Sequence, residues 1–123
     1  AVAGATSFET RVLGVRRPEL QLGRALENNM KLSPDDIARR LRTLEGWTLD
    51  GHAIRRQFTF RDFPVAIAFV NRLVPQAEAA DHHPDILVQY KRVTLTYSTH
   101  SAGGLTLKDF AGAAMADRMA TRT

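Results

Sequence analysis

Three of the four histidines of this 123-residue chain, His82, His83 and His100, fall within nineteen residues of one another. Imidazole is the side chain that gives and takes protons near neutral pH. Glu78 stands four residues before His82, so a helix there places the two on one face. Asp81 precedes the histidine pair and Pro84 follows it. The chain has no cysteine, which excludes disulfides, thiol nucleophiles and thiolate metal sites. On the residues alone three readings stay open. The histidines cap a helix end and satisfy its carbonyls. They bind a metal, although adjacent residues rarely point at one ion and neither His-x-His nor His-x-x-x-His spacing occurs. Or they move protons without a metal. His52, beside a turn, reads as a solvated turn residue.

The elements that must position these groups are legible from residue 33 onward. Ser33-Pro34-Asp35-Asp36 starts a helix, with Ser33 as N-cap and Pro34 at the first helical position. Ile37, Leu41 and Leu44 form its apolar stripe, and Gly46 is expected to end it. Trp47-Thr48-Leu49 leads into the hairpin dipeptide Asp50-Gly51. A strand follows to Phe60, with Ile54, Phe58 and Phe60 inward. Asp62 caps a second helix whose expected buried face is Phe63, Ile67, Val70, Leu73, Val74 and Ala77. Pro75 lies inside this pattern and should kink or shorten the helix. The helix is expected to run out at Asp81-His82-His83-Pro84, because a residue before proline avoids the helical region. Val93, Leu95 and Tyr97 alternate with Thr94, Thr96 and Ser98 as a half-buried strand. Ile86 to Tyr90 is its expected antiparallel partner, turned near Lys91-Arg92, a poor pair for a tight turn. Thr106-Leu107-Lys108-Asp109 is a capping box opening a last helix through Met119. The order helix, two strands, helix, two strands, helix predicts an α+β fold. Its four-stranded antiparallel sheet carries helices on one face. Exposed sheet edges then favour oligomerisation.

Residues 1–32 read as an N-terminal extension, flexible or partner-contacting, ahead of a domain over 33–123. The extension lacks the apolar core of a secretory signal, and Glu9, Glu19 and Glu27 argue against a transit peptide, so a cytoplasmic protein is expected. No apolar run approaches the roughly 20 residues of a membrane-spanning helix. Net charge is +4, from 17 basic and 13 acidic residues. Fourteen of the basic residues are Arg, scattered in short groups rather than gathered in a patch, which argues against nucleic acid as a partner.

Asp81-His82-His83-Pro84-Asp85, Tyr90, Ser98-Thr99-His100, Gly104-Leu105-Thr106 and Asp109 together resemble the signature of pterin-4a-carbinolamine dehydratases. Upstream, Gly46-Trp47, Phe58-Thr59-Phe60, Asp62-Phe63 and Ala77-Glu78 extend the resemblance, which covers about residues 33 to 119. It implies an α+β sandwich assembled as a homodimer or homotetramer. It also implies loss of water from 4a-hydroxytetrahydropterins to give quinonoid dihydropterins, with no metal and no organic cofactor. Carried onto this chain, it makes His82 and His100 the proton-transfer pair, with His83 holding the substrate. Glu78 and Asp81 orient histidines or bind the amino-pyrimidine edge. Trp47 stacks on the ring or is a core aromatic, Pro84 fixes the chain beside the site, and Asp109 serves site and helix cap. Tyr90 reads as structural. Pro75 and the extension depart from the family pattern. Related proteins of this fold serve as an assembly chaperone or a dimerisation cofactor, which is the alternative function.

Overall fold

The computed structural model describes residues 29–123, so all but the end of the N-terminal extension lies outside the described residues. Three helices and four strands follow in the expected order. Helix α1 spans Pro34–Leu41, and the Ser33 hydroxyl accepts from the Asp36 amide as the sequence requires. It ends five residues before Gly46. The backbone amide and hydroxyl of Thr43 both donate to the Arg40 carbonyl, which closes the last turn early. Gly46 instead adopts a positive φ of 89° in the turn that delivers Trp47.

Strands β1 (Thr48–Asp50) and β2 (Ala53–Thr59) pair antiparallel across a two-residue loop, Gly51-His52. Helix α2 spans Phe63–Ala80, capped by Asp62, whose carboxylate accepts from the Val65 amide. That hydrogen bond holds the Asp62 carboxyl below its ordinary pKa. The helix passes through Pro75 and continues to Ala80, so the proline does not shorten it. Its buried face is Ala66, Phe69 and Leu73. Phe63 and Val74 are about half exposed, against expectation, and Ile67, Val70 and Ala77 flank the buried row. Between Phe63 and Val74 only Asn71 and Arg72 are polar. With so uniform an apolar surface, hydrophobicity does not fix which row faces inward.

Strands β3 (Asp85–Gln89) and β4 (Arg92–Tyr97) form the second hairpin. Its turn is Tyr90-Lys91, one residue earlier than expected, and Tyr90 takes a left-handed φ of 56°. The sheet order is β1-β2-β4-β3, antiparallel throughout, with β1 and β3 at the edges. Helix α3 spans Leu107–Thr121 and opens with the predicted capping box. The helices cover one face of the sheet. Ile54, Phe58, Val93, Leu95 and Tyr97 point into this layer, against Phe69, Leu73, Phe110 and Ala113. Because strand residues alternate, Ala53, Arg55, Thr94, Thr96 and Asp85 lie on the opposite, helix-free face.

Candidate functional site

The histidine pair leaves α2 through a left-handed turn. Asp81 has φ 50°, its amide donates to the Glu78 carbonyl, and the His82 amide reaches back to the Ala77 carbonyl. This is the Schellman arrangement, in which one left-handed residue closes the helix end. Asp tolerates that conformation better than most residues. The Asp81 side chain is exposed and makes no hydrogen bond among the described residues, so its visible contribution is the turn itself. Pro84, half-buried, then commits the chain to the extended path of β3.

Once out of the helix, the two rings diverge. His82 turns to the helix side, where Nε2 lies 2.6 Å from Oδ1 of Asp109. Asp109 is fully buried. Its other oxygen, Oδ2, accepts from the Thr99 hydroxyl at 2.8 Å and from the Thr106 amide at 2.9 Å. Thr99 and Thr106 also join hydroxyl to hydroxyl at 2.9 Å. One carboxylate therefore caps α3, holds His82, and fixes the residue next to His100. Every donor it takes offsets the cost of burying its charge. The His82 ring also stacks on Tyr97, centroids 6.0 Å apart. Burial, reinforced by the charges of Asp109 and Asp117, pushes the Tyr97 hydroxyl up to about 12.

His83 turns the other way. Its Nε2 meets the Glu78 carboxylate at 2.5 Å, in a pair that is more than half exposed. With His100 at the start of the short 3₁₀ turn His100–Ala102, it lines a cavity of about 360 Å³ on the helix-free face. Asp85, Thr96 and Ser98 form part of the wall, and so does His52. His82 instead lines a separate cavity of about 440 Å³ between α2 and α3. The structure thus brings His83 and His100 to one cavity and braces His82 behind it, on the opposite face of the sheet. Among the described residues no group of three His, Asp or Glu side chains is arranged to hold a metal ion.

Trp47 lies in the core, 5% exposed, between Phe58 and Tyr97. Its indole N–H donates to the Asp117 carboxylate, which also takes the Arg56 guanidinium at 2.8 Å. Tyr90, at the far tip of the β3–β4 hairpin, is 67% exposed. The five residues of β3 put it roughly 16 Å from the Asp85 end.

A site of this make-up, on this fold, agrees with the comparison to known proteins. The sequence model described as "Pterin 4 alpha carbinolamine dehydratase" matches residues 30–119. The chain belongs to this family. It is 51% identical over 88 residues to a protein of Roseiflexus castenholzii, covering 72% of this chain and 95% of that one. It is 49% identical over 89 residues to one of Chloroflexus aurantiacus, covering 72% and 96%. Both carry the name "Putative pterin-4-alpha-carbinolamine dehydratase". Among solved structures, a "transcriptional coactivator/pterin dehydratase" of Brucella melitensis superposes with a TM-score of 0.71 at 38% identity. That match covers 73% of this chain and 98% of the other. A pterin dehydratase-like protein described as a RuBisCO assembly factor shares the fold at 23% identity, with a TM-score of 0.50 over 60% of this chain and 86% of that one.

For a pterin dehydratase-family chain, the sequence reading missed three features of the site. His52 was set aside as a turn residue, yet the Ser98 hydroxyl donates to its carbonyl at 3.1 Å and binds the β1–β2 loop to the end of β4. That neighbourhood follows from the pairing of Ile54 with Tyr97, which no local spacing reveals. Thr99 was noted only as part of a motif; its signal is a hydroxyl beside a histidine near a capping box. Asp117 had no signal beyond its charge.

Proposed function

We propose that this chain dehydrates 4a-hydroxytetrahydropterins to quinonoid dihydropterins by histidine acid–base catalysis. The C4a–oxygen bond breaks, the hydroxyl leaves as water after taking a proton, and a ring nitrogen gives up its proton as the new double bond forms. Nothing is oxidised or reduced, so one imidazole that donates and one that accepts suffice. The observation that carries this reading is the buried Asp109 carboxylate, joined at once to His82 and, through Thr99, to the segment bearing His100. A carboxylate behind a histidine fixes its tautomer and orientation, as positioned proton-transfer groups need. If Nε2–H of His82 donates to Asp109, Nδ1 is the nitrogen left to exchange a proton. In this assignment His82 and His100 transfer protons, and His83, paired with Glu78 at the surface, holds the substrate.

A second assignment within the same function is favoured by one observation: His83 and His100 line the same cavity, and His82 does not. In it, His83 and His100 exchange the protons and His82 is a positioning residue. Dehydration of freshly generated 4a-hydroxytetrahydropterin, followed against buffer, tests the function; no acceleration would leave a non-catalytic assembly or dimerisation role as the reading. The variants His82→Ala and His83→Ala separate the assignments. Under the first, His82→Ala lowers kcat on the order of 10²-fold or more while His83→Ala mainly raises KM. Under the second, His83→Ala gives the loss of kcat, and His82→Ala lowers kcat less and leaves KM unchanged.

The same fold leaves one sheet edge open to self-association. Edge strand β3 presents Ile86 and Leu87, 40% and 54% exposed, beside its unpaired backbone groups. A homodimer formed there would continue the sheet.

A further inference from the structure

The cavity that holds His83 and His100 has a neighbour beyond Gly104. A second cavity of about 390 Å³ lies between α1 and the β1–β2 loop. The two share His52 and Gly104 as lining residues, so they adjoin at those two positions. Gly104 is buried and offers no side chain there. The Lys31 chain lies across it, its Cε 3.0 Å from where a Cβ would stand. His52 is held at the junction through its carbonyl, which accepts from Ser98.

The second cavity differs in chemistry from the first. Leu32, Ile37, Leu41, Leu49 and Leu105 make its wall largely apolar. Leu49 is 51% exposed, an apolar side chain facing open space. Among the described residues lining it, Lys31 is the one charged group, and no carboxylate is present. A short polyhydroxylated substituent would gain little here, since its hydroxyls would give up water for leucine side chains. A flat aryl group would bury apolar area at small conformational cost. Lys31 lies at the junction, which leaves the wall beyond it apolar.

We propose that the ring substituent of the substrate passes His52 into this second cavity. The substrate class is then a pterin that carries an aryl substituent, the chemistry of reduced folates. His52 and Leu49 are specificity-determining residues in this scheme. The inference rests on the dehydratase reading for its turnover arm only.

The test compares two substrates on the full chain: the 4a-hydroxy forms of tetrahydrofolate and of 6-methyltetrahydropterin. The expected kcat/KM ratio favours the folate form by about tenfold, roughly 1.4 kcal/mol. In Leu49→Asp and in His52→Ala that ratio falls towards one. Both positions are exposed, so neither change threatens the core. A wild-type ratio of one or below, or a ratio that both variants leave intact, overturns the proposal. If neither substrate is dehydrated, the catalytic reading fails by itself. Binding of the stable 7,8-dihydro forms of the same two compounds, measured by fluorescence quenching, then decides. Tighter binding of dihydrofolate that is lost in Leu49→Asp upholds the second cavity, and equal affinities overturn it.

Discussion

A single buried carboxylate explains more of this site than any histidine does. Asp109 takes donors from His82, Thr99 and the Thr106 amide. Asp109→Asn keeps the size of the group but replaces one acceptor oxygen with a donor. At least one of the three donors then faces N–H, and a buried polar group left unpaired costs about 1–3 kcal/mol. The expected outcome is a folded protein of lower Tm, with kcat reduced about tenfold or more because the ring of His82 is no longer fixed. Unchanged kcat in Asp109→Asn would separate the brace from catalysis. Asp81 makes the opposite case. The resemblance gives Asp81 the task of orienting histidines or binding the amino-pyrimidine edge; in the structure it is the left-handed residue at the helix end. Asp81→Gly should therefore retain activity and stability, because glycine takes this conformation freely. Asp81→Val should cost about 1–2 kcal/mol. Loss of substrate affinity in Asp81→Gly, read as a raised KM, would return Asp81 to substrate binding.

Elements converge on the site with a tolerance of less than a methyl group. Gly112 sits in the interior of α3, where alanine usually stabilises a helix by about 0.5–1 kcal/mol over glycine. Here a Cβ would stand 2.6 Å from Cε1 of the buried Tyr97 ring. That ring in turn stacks on His82. Gly112→Ala is thus expected to lower Tm rather than raise it, and to lower kcat by displacing the His82 ring. Thermal melts and steady-state rates of the one variant check both halves. The elements themselves were largely legible in sequence, because their signals are local: Ser33, Asp62 and Thr106 each cap the helix they were read to cap. What stayed hidden was phase and direction. The apolar surface of α2 did not say which row faced inward, so Phe63 and Val74 were misplaced. Adjacent histidines read as one cluster, whereas the chain beyond Asp81 sends His82 to the helix layer and His83 to the open face. His52 joined the site through a strand pairing between distant segments.

At the scale of the whole molecule, stability and assembly follow from what is buried and what is left uncovered. Tyr97 keeps its proton to about pH 12 when folded, against an ordinary 10. Between those values the unfolded chain loses a proton that the folded chain retains, so stability falls as pH rises, by about 1.4 kcal/mol per unit for this group. Below pH 10 both states are neutral and the effect vanishes. Tyr97→Phe should show a shallower loss of stability than wild type between pH 10 and 12 in denaturant melts; parallel curves would rule out this source of alkaline sensitivity. For assembly, the edge strand β3 is the expected contact. A lone edge strand with Ile86 and Leu87 exposed is an open template for pairing, and proteins usually blunt such edges with lysine, proline or a bulge. None of these lies within Asp85–Gln89. Pairing the β3 strands of two copies would satisfy the free backbone groups and shield both residues. Light scattering on the wild-type chain should then give the mass of a dimer or a larger even assembly. Leu87 lies on the helix-free face, away from the core, so Leu87→Lys should fold normally and shift the mass towards the monomer. A monomeric wild type, or a Leu87→Lys variant of unchanged mass, would place any assembly on a surface other than this edge.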